Sequence, residues 1–192
     1  SNIVDNSRYV WIGTWKGLNL YDKQACKIIP FPDTRLLDKG INYMAADKED
    51  NIWIGAGNTI YRCNSTASIA REYDIFGSQQ NKHVINFVYQ DREGNMWVLT
   101  GGGLFRYDDK SDSFITYPPL GRNNAPYTMY QDQSGNYWIG TWGEGLWQFF
   151  PKKEEEECYK RHHIINSRSG ETEPIFYSMT QDNTCLLYTS AS

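Results

Sequence analysis

Val10-Trp11-Ile12-Gly13-Thr14-Trp15-Lys16-Gly17-Leu18-Asn19-Leu20-Tyr21-Asp22 is a line that the chain writes four times. Its relatives begin at Ile52-Trp53-Ile54-Gly55, Met96-Trp97-Val98-Leu99 and Tyr137-Trp138-Ile139-Gly140. Outward from each copy, an aspartate stands six residues before the tryptophan, at Asp5, Asp47, Asp91 and Asp132, so the spacings are 42, 44 and 41. Asp182 fits as a fifth, 50 residues on, with Tyr188 at the tryptophan's place. A period of ~40–45 residues with one tryptophan motif per unit points to β-propeller blades.

The third repeat reads as four short strands separated by turn signals. Val84 to Gln90 forms the first, Met96 to Thr100 the second, Leu104 to Tyr107 the third and Ser113 to Tyr117 the fourth. Between them lie Arg92-Glu93-Gly94-Asn95, Gly101-Gly102-Gly103 and the polar run Asp108 to Asp112. Four antiparallel strands per repeat make one blade. The fold class expected is therefore all-β, a β-propeller fragment of about four four-stranded antiparallel blades, with the chain starting and ending mid-blade. Blade 1 covers about 3–36, blade 2 about 41–77, blade 3 about 84–118, blade 4 about 126–166, and the first strand of blade 5 about 175–182. Such an arc leaves two blade faces unpaired and is expected to associate. The last residues, 186–192, lack the Gly and Trp of the other repeats.

Repetition explains the residues that first resemble a site. The Asp accepts hydrogen bonds from amides two or three residues ahead, and Gly94 or Gly135 supplies a positive φ in the same turn. Asp50 and Arg8 hold that place in repeats two and one, so those turns are expected to be strained or differently shaped. Asp47-Lys48-Glu49-Asp50 resembles a calcium loop, but an Asp recurs in every turn, so the turn reading is preferred. Trp11, Trp53, Trp97 and Trp138 are scaffold, filling the wedge between blades.

Composition narrows the class. The chain has 14 Tyr, 8 Phe and 7 Trp, which are strand formers, and 16 Gly for turns. Net charge is −4 with no basic patch, which argues against nucleic acid as a partner. No run of 18 apolar residues and no signal-peptide pattern occurs, so any membrane anchor or export signal of the parent is expected outside this stretch. Cys26, Cys63, Cys158 and Cys185 contain no Cys-x-x-Cys pair, and scattered thiols are the expectation. His162 and His163 are adjacent in a strand and point to opposite faces, which disfavours a shared metal.

The pattern Asp-x-x-Gly-Asn-x-Trp-Ile-Gly-Thr-x-x-x-Gly-Leu, as it stands from Asp132 to Leu146, resembles the two-component regulator propeller repeat. That resemblance covers nearly the whole chain, from Asp5 to about Asp182. It implies the periplasmic sensor region of a Bacteroides-type hybrid two-component histidine kinase, an inner-membrane protein. In such receptors two propellers precede an immunoglobulin-like domain, a membrane helix and the kinase, and the ligands are commonly oligosaccharides. The implied partners are an oligosaccharide or other small ligand and a homodimer formed through the parent receptor, with the membrane reached only through the parent. No kinase motif lies in this stretch, since Gly101-Gly102-Gly103 joins two strands instead of opening a helix.

Loops that join second to third strands, and one blade to the next, share an end of the propeller. Ligand-binding candidates on that end are Trp15 and Trp142, whose rings suit the apolar face of a sugar, with Lys16 and Glu144 beside them. His83, Asn86 and Tyr127 open the first strands of their blades, and Arg35 and Arg122 on long loops suit a sulfate or uronate. No catalytic residue, metal ligand or cofactor is expected, because the acids fall mostly at the repeated turn of the opposite end. The alternatives are a secreted propeller enzyme of lyase or glycosidase type, which needs a pair of poised carboxylates, and a protein-interaction platform.

Overall fold

The second strand of each repeat is an almost unbroken apolar run, which suits a strand covered on both faces. In the computed structural model, which describes residues 2–77, 83–120, 125–154, 157–165, 170–182 and 187–190, Ile52–Ala56 and Met96–Thr100 are buried at every position. Each lies inside its own sheet and between neighbouring sheets.

Four four-stranded antiparallel sheets follow in chain order. Blade 1 is β1 (Ile3–Asp5), β2 (Tyr9–Thr14), β3 (Gly17–Asp22) and β4 (Lys27–Pro30). Blade 2 is β5 (Ile41–Ala46), β6 (Ile52–Ala56), β7 (Thr59–Cys63) and β8 (Ile69–Tyr73). Blade 3 is β9 (Ile85–Gln90), β10 (Met96–Thr100), β11 (Gly103–Asp108) and β12 (Ser113–Thr116). Blade 4 is β13 (Ala125–Gln131), β14 (Tyr137–Trp142), β15 (Leu146–Phe149) and β16 (Tyr159–His162). A two-stranded sheet, β17 (Ser178–Gln181) with β18 (Leu187–Ser190), comes after them. There Tyr188 pairs with Thr180 just as Trp138 pairs with Tyr130, which keeps the repeat register. A short 3₁₀ turn lies at Thr34–Leu36, and among the described residues no helix is long and apolar enough to cross a membrane.

The blades are held by the repeated indoles. Trp11 is buried with Tyr61 of β7, Trp53 with Phe105 and Tyr107 of β11, and Trp97 with Phe149 of β15. Each tryptophan thus packs on the third strand of the next blade. Losing one such ring costs about 3–5 kcal/mol. Trp138 is only half-buried and meets His162 at 5.1 Å between ring centroids. The sheet after blade 4 has two described strands, so no third strand covers that ring. His162 and His163 do part company, the first packed on Trp138 and the second exposed.

The glycine of the Trp-Ile-Gly motif admits the neighbouring blade. A Cβ on Gly13 would stand 2.7 Å from Ile41 Cγ2, and one on Gly55 would stand 2.6 Å from Ile85 Cγ2. Close approach therefore requires the missing side chain.

The aspartate turn has a fuller chemistry than an Asx turn. Asp47, Asp91 and Asp132 each accept from the backbone and side-chain amides of the asparagine four residues on. The second oxygen of each accepts from the indole Nε1 six residues on, at 2.8, 2.8 and 2.9 Å. Those donors occupy the Asp47 carboxylate that resembled a calcium ligand, and Asp50 accepts from the Ser7 hydroxyl of blade 1. Burial raises the Asp132 carboxyl, but the bonds from Trp138 and Asn136 outweigh it and leave the pKa below the usual value. As the turn chemistry requires, Asp50 has φ 66, beside 90 for Gly94 and 83 for Gly135.

Blade 1 departs from this pattern. Val4 pairs with Trp11, so the turn is one residue shorter, and Asn6 rather than Asp5 does the capping, accepting from the Tyr9 amide at 2.8 Å. Asp5 is exposed and pairs with Lys23 at 2.5 Å. Asn6 offers an amide nitrogen where the other turns offer a second oxygen, and both that nitrogen and Trp11 Nε1 are buried without a partner.

Cys26 is exposed, Cys63 and Cys158 are buried, and burial pushes the Cys63 thiol up to about 12. Cys185 lies outside the described residues.

Candidate functional site

The first strands of blades 2, 3 and 4 share an irregularity. Ile41 pairs with Ala56 and Tyr43 with Gly55; Ile85 pairs with Thr100 and Phe87 with Leu99; Pro126 pairs with Thr141 and Thr128 with Gly140. One residue in each pair of steps has no partner, namely Asn42, Asn86 and Tyr127. A bulge re-aims the extra side chain. All three line a cavity of about 650 Å³ over the concave face of the first strands.

Tyr177 joins them, because it stands five residues before Asp182 just as Asn42, Asn86 and Tyr127 stand five before Asp47, Asp91 and Asp132. Its ring lies 5.2 Å from that of Trp142 and 6.5 Å from that of Tyr127, and Tyr127 lies 5.6 Å from Trp142. These three aromatics are 39%, 48% and 39% exposed for Tyr127, Trp142 and Tyr177, an open aromatic wall.

A second hollow of about 480 Å³, lined by His83, Asn86, Gly101, Tyr127 and Trp142, adjoins the first through Asn86 and Tyr127. Asn86 is oriented by a bond from its amide nitrogen to the Pro126 carbonyl at 3.1 Å, and Asn42 accepts from the Gly57 amide at 2.8 Å. The His83 ring lies against Gly101 and Gly102, where a Cβ would come within 3.0 and 2.6 Å of it. Among the described residues no Asp, Glu, Lys or Arg lines either hollow. Burial raises the Tyr43 and Tyr89 phenols, which stay neutral hydrogen-bonding groups. The surface is a neutral one of rings, amides and hydroxyls, able to stack on an apolar face and to bond polar groups at its edge.

Trp142, Asn86, Tyr127 and His83 are thus brought together by the fold. Trp15 is 81% exposed, packs its edge over Gly40 and reaches the larger cavity from blade 1. Lys16 is exposed and lines neither hollow. Glu144 faces Arg161 at 3.5 Å. Arg35 forks onto Asp33, with Nη2 to Oδ2 at 2.6 Å, and lies 3.9 Å from Glu72 on the outer strand of blade 2. Arg122 lies outside the described residues. Sequence reasoning missed Tyr177, Asn42 and Tyr43, although the place five before each aspartate marks the first two.

The comparisons with known proteins agree with this architecture. No curated protein matches the sequence. In solved structures the chain is similar to the extracellular domains of two hybrid two-component systems of B. thetaiotaomicron. One has a TM-score of 0.78 at 21% identity, covering 98% of this chain and 25% of that one. The other has a TM-score of 0.73 at 20% identity, covering 98% and 26%. The chain therefore spans about a quarter of the length of those domains. It is also similar to virginiamycin B lyase from Staphylococcus aureus, with a TM-score of 0.72 at 16% identity over 98% of this chain and 62% of that one. These likenesses establish the propeller fold. The family model described as two component regulator propeller matches residues 78–102 and 120–143, the first two strands of blades 3 and 4 with the segments that lead into them. Those two stretches match the two-component regulator propeller repeat, within a chain folded as propeller blades.

Proposed function

We propose that this arc is the ligand-sensing, extracytoplasmic part of a two-component sensor kinase, non-catalytic itself, and that its ligand is a carbohydrate. The observation that carries this is the wall of Tyr127, Trp142 and Tyr177 standing open beside Asn42 and Asn86, with no Asp, Glu, Lys or Arg among the described residues of the lining. A sugar presents one apolar face and a rim of hydroxyls, which this surface matches in kind. That lining favours a neutral oligosaccharide over a sulfated or uronate one, and Arg35, which would suit such an anion, is already paired with Asp33. The likeness to extracellular domains of hybrid two-component systems supports a place outside the cytoplasm, and the reading extends this to the periplasmic part of an inner-membrane receptor that signals as a dimer.

Calorimetry of the intact protein against a panel of neutral and acidic polysaccharide fragments tests this. Binding of a neutral fragment that weakens at least tenfold in Trp142→Ala supports the reading; binding only of acidic fragments, or binding indifferent to Trp142→Ala and Trp15→Ala alike, refutes it.

The likeness to virginiamycin B lyase keeps an enzyme reading in view. Against it, the acids at the repeated turn spend their oxygens on indole and amide donors at the end opposite the hollows. Turnover of a bound fragment on prolonged incubation would decide for the enzyme.

A further inference from the structure

Repeats permit an internal control that a unique fold does not. Arg62 and Arg106 occupy the same register position of their blades, opposite Trp53 and Trp97, and each guanidinium lies over that indole, at 5.3 and 5.9 Å from the ring centroid. Arg62 is neutralised by Glu49 at 3.5 Å, from the aspartate turn of its own blade, and reaches the Tyr107 hydroxyl. The residue that corresponds to Glu49 in blade 3 is Glu93. That carboxylate is engaged elsewhere, accepting from the Gln131 amide at 2.7 Å and the Tyr137 hydroxyl at 3.4 Å in blade 4.

Arg106 is left without an acid among the described residues, and its Nε is buried with no hydrogen-bond partner. A buried donor left unpaired costs about 1–3 kcal/mol. Beside it opens a cavity of about 420 Å³ between blades 3 and 4, at the end of the arc opposite the aromatic wall. Its walls are Trp97, Tyr137, Phe149 and Phe150; Lys152 brings a second cation, and the Glu93 carboxylate, held by Gln131 and Tyr137, stands in the lining too. Lys153, also in the lining, is met by Glu157 at 3.8 Å. The cavity thus offers a guanidinium whose Nε lacks a partner, a further positive charge and an apolar floor, against one acid, Glu93, that already accepts two hydrogen bonds.

We propose that this cavity is a second binding site, taking a small organic carboxylate whose charged end pairs with Arg106 and whose apolar body lies on Phe149 and Tyr137. The planar guanidinium fork matches a carboxylate bidentately, and the aromatic floor favours an organic acid over an inorganic anion. The site is independent of the carbohydrate reading, since it shares no residue with the two hollows of the other end.

Titration of the intact protein with benzoate, followed by tryptophan fluorescence and calorimetry, tests the proposal, with benzamide as the uncharged isostere and sulfate as the inorganic anion. Benzoate is expected to bind saturably and benzamide at least tenfold more weakly. Arg106→Gln is expected to weaken benzoate about tenfold or more, the loss of a charge-assisted pair, while Arg62→Gln leaves it unchanged. Lys152→Gln, an exposed change that should not disturb folding, is expected to weaken it about threefold. Equal binding of benzoate and benzamide, sulfate as the better ligand, or benzoate affinity unchanged in both Arg106→Gln and Lys152→Gln would overturn it.

Discussion

Asp91 accepts from Trp97 Nε1 of its own blade at 2.8 Å and, through the same oxygen, from the Tyr137 hydroxyl of the next blade at 2.7 Å. One carboxylate therefore closes a turn, fixes the core indole and ties two blades together. Burial and the Asp91 bond raise the Tyr137 phenol well above its usual range, so that hydroxyl stays a donor.

Removal of that carboxylate strands several buried donors at once. Asp91→Ala is expected to cost about 3 kcal/mol or more, at ~1–3 kcal/mol per buried group left unpaired, while Asp5→Ala, which looks equivalent in the repeat but is exposed, changes stability by less than about 0.5 kcal/mol. Urea unfolding of the two variants measures this. Equal costs would mean that the six-residue spacing, not the bond, is what matters.

Blade 1 carries a defect that one atom repairs. Asn6→Asp replaces an unpartnered amide nitrogen with an acceptor in the turn where Trp11 Nε1 lacks one. A gain of about 1 kcal/mol is expected, read as a higher urea midpoint at unchanged slope. A lower midpoint would show that the shorter turn keeps the two groups apart.

Acid should loosen the seam between blades 2 and 3. Hydrogen bonds from Tyr73 and Tyr107, then Arg71, hold the Asp112 carboxyl at about 2, below its ordinary 3.8. A depressed carboxylate contributes stability that is full above its unfolded value and is lost as pH falls through the folded one. Burial likewise lowers His162 below 6.5, with Lys160 adding to it, so its charging opposes folding as pH drops beneath that value. Melting temperature is expected to decline in two stages, gently below pH 6.5 and again between pH 3.8 and about 2. The lower stage should shrink in Asp112→Asn, leaving what Asp132 and the other depressed carboxylates contribute, and an unchanged lower stage would assign it elsewhere.

The aromatic wall separates stability from binding. Tyr177→Ala and Trp142→Ala remove half-exposed rings and are expected to cost less than about 1.5 kcal/mol each. Loss of ligand affinity should be about tenfold, since a stacked aromatic contact is worth ~0.5–1.5 kcal/mol beyond the area it buries. Thermal unfolding and calorimetry on the same samples check both halves. A large loss of stability with affinity intact would make the wall structural.

The blade pattern was legible in sequence because what defines it is local. Asp, Asn and Trp meet within six residues, across one turn, so the same chemistry repeats wherever the motif does. Locality also explains the one misreading. Asp5 shares the spacing, but a turn shorter by one residue passes its role to Asn6, and a residue count does not show which side chain faces inward. Trp142 and Tyr127 stood out as departures from the repeat. Tyr177 did not, because its importance comes from Trp142 beside it, 35 positions away in the chain.

By itself, then, the sequence determined the blades, their order and the indoles between them, through contacts that close within a turn or recur at every period. Only the tertiary structure decided which bulged residues share a hollow, and why Arg106 meets no acid among the described residues where Arg62 meets Glu49. Those outcomes depend on the approach of one blade to the next, which diverts Glu93 to Gln131 and brings Tyr177 onto Trp142, and no spacing within a single repeat encodes it.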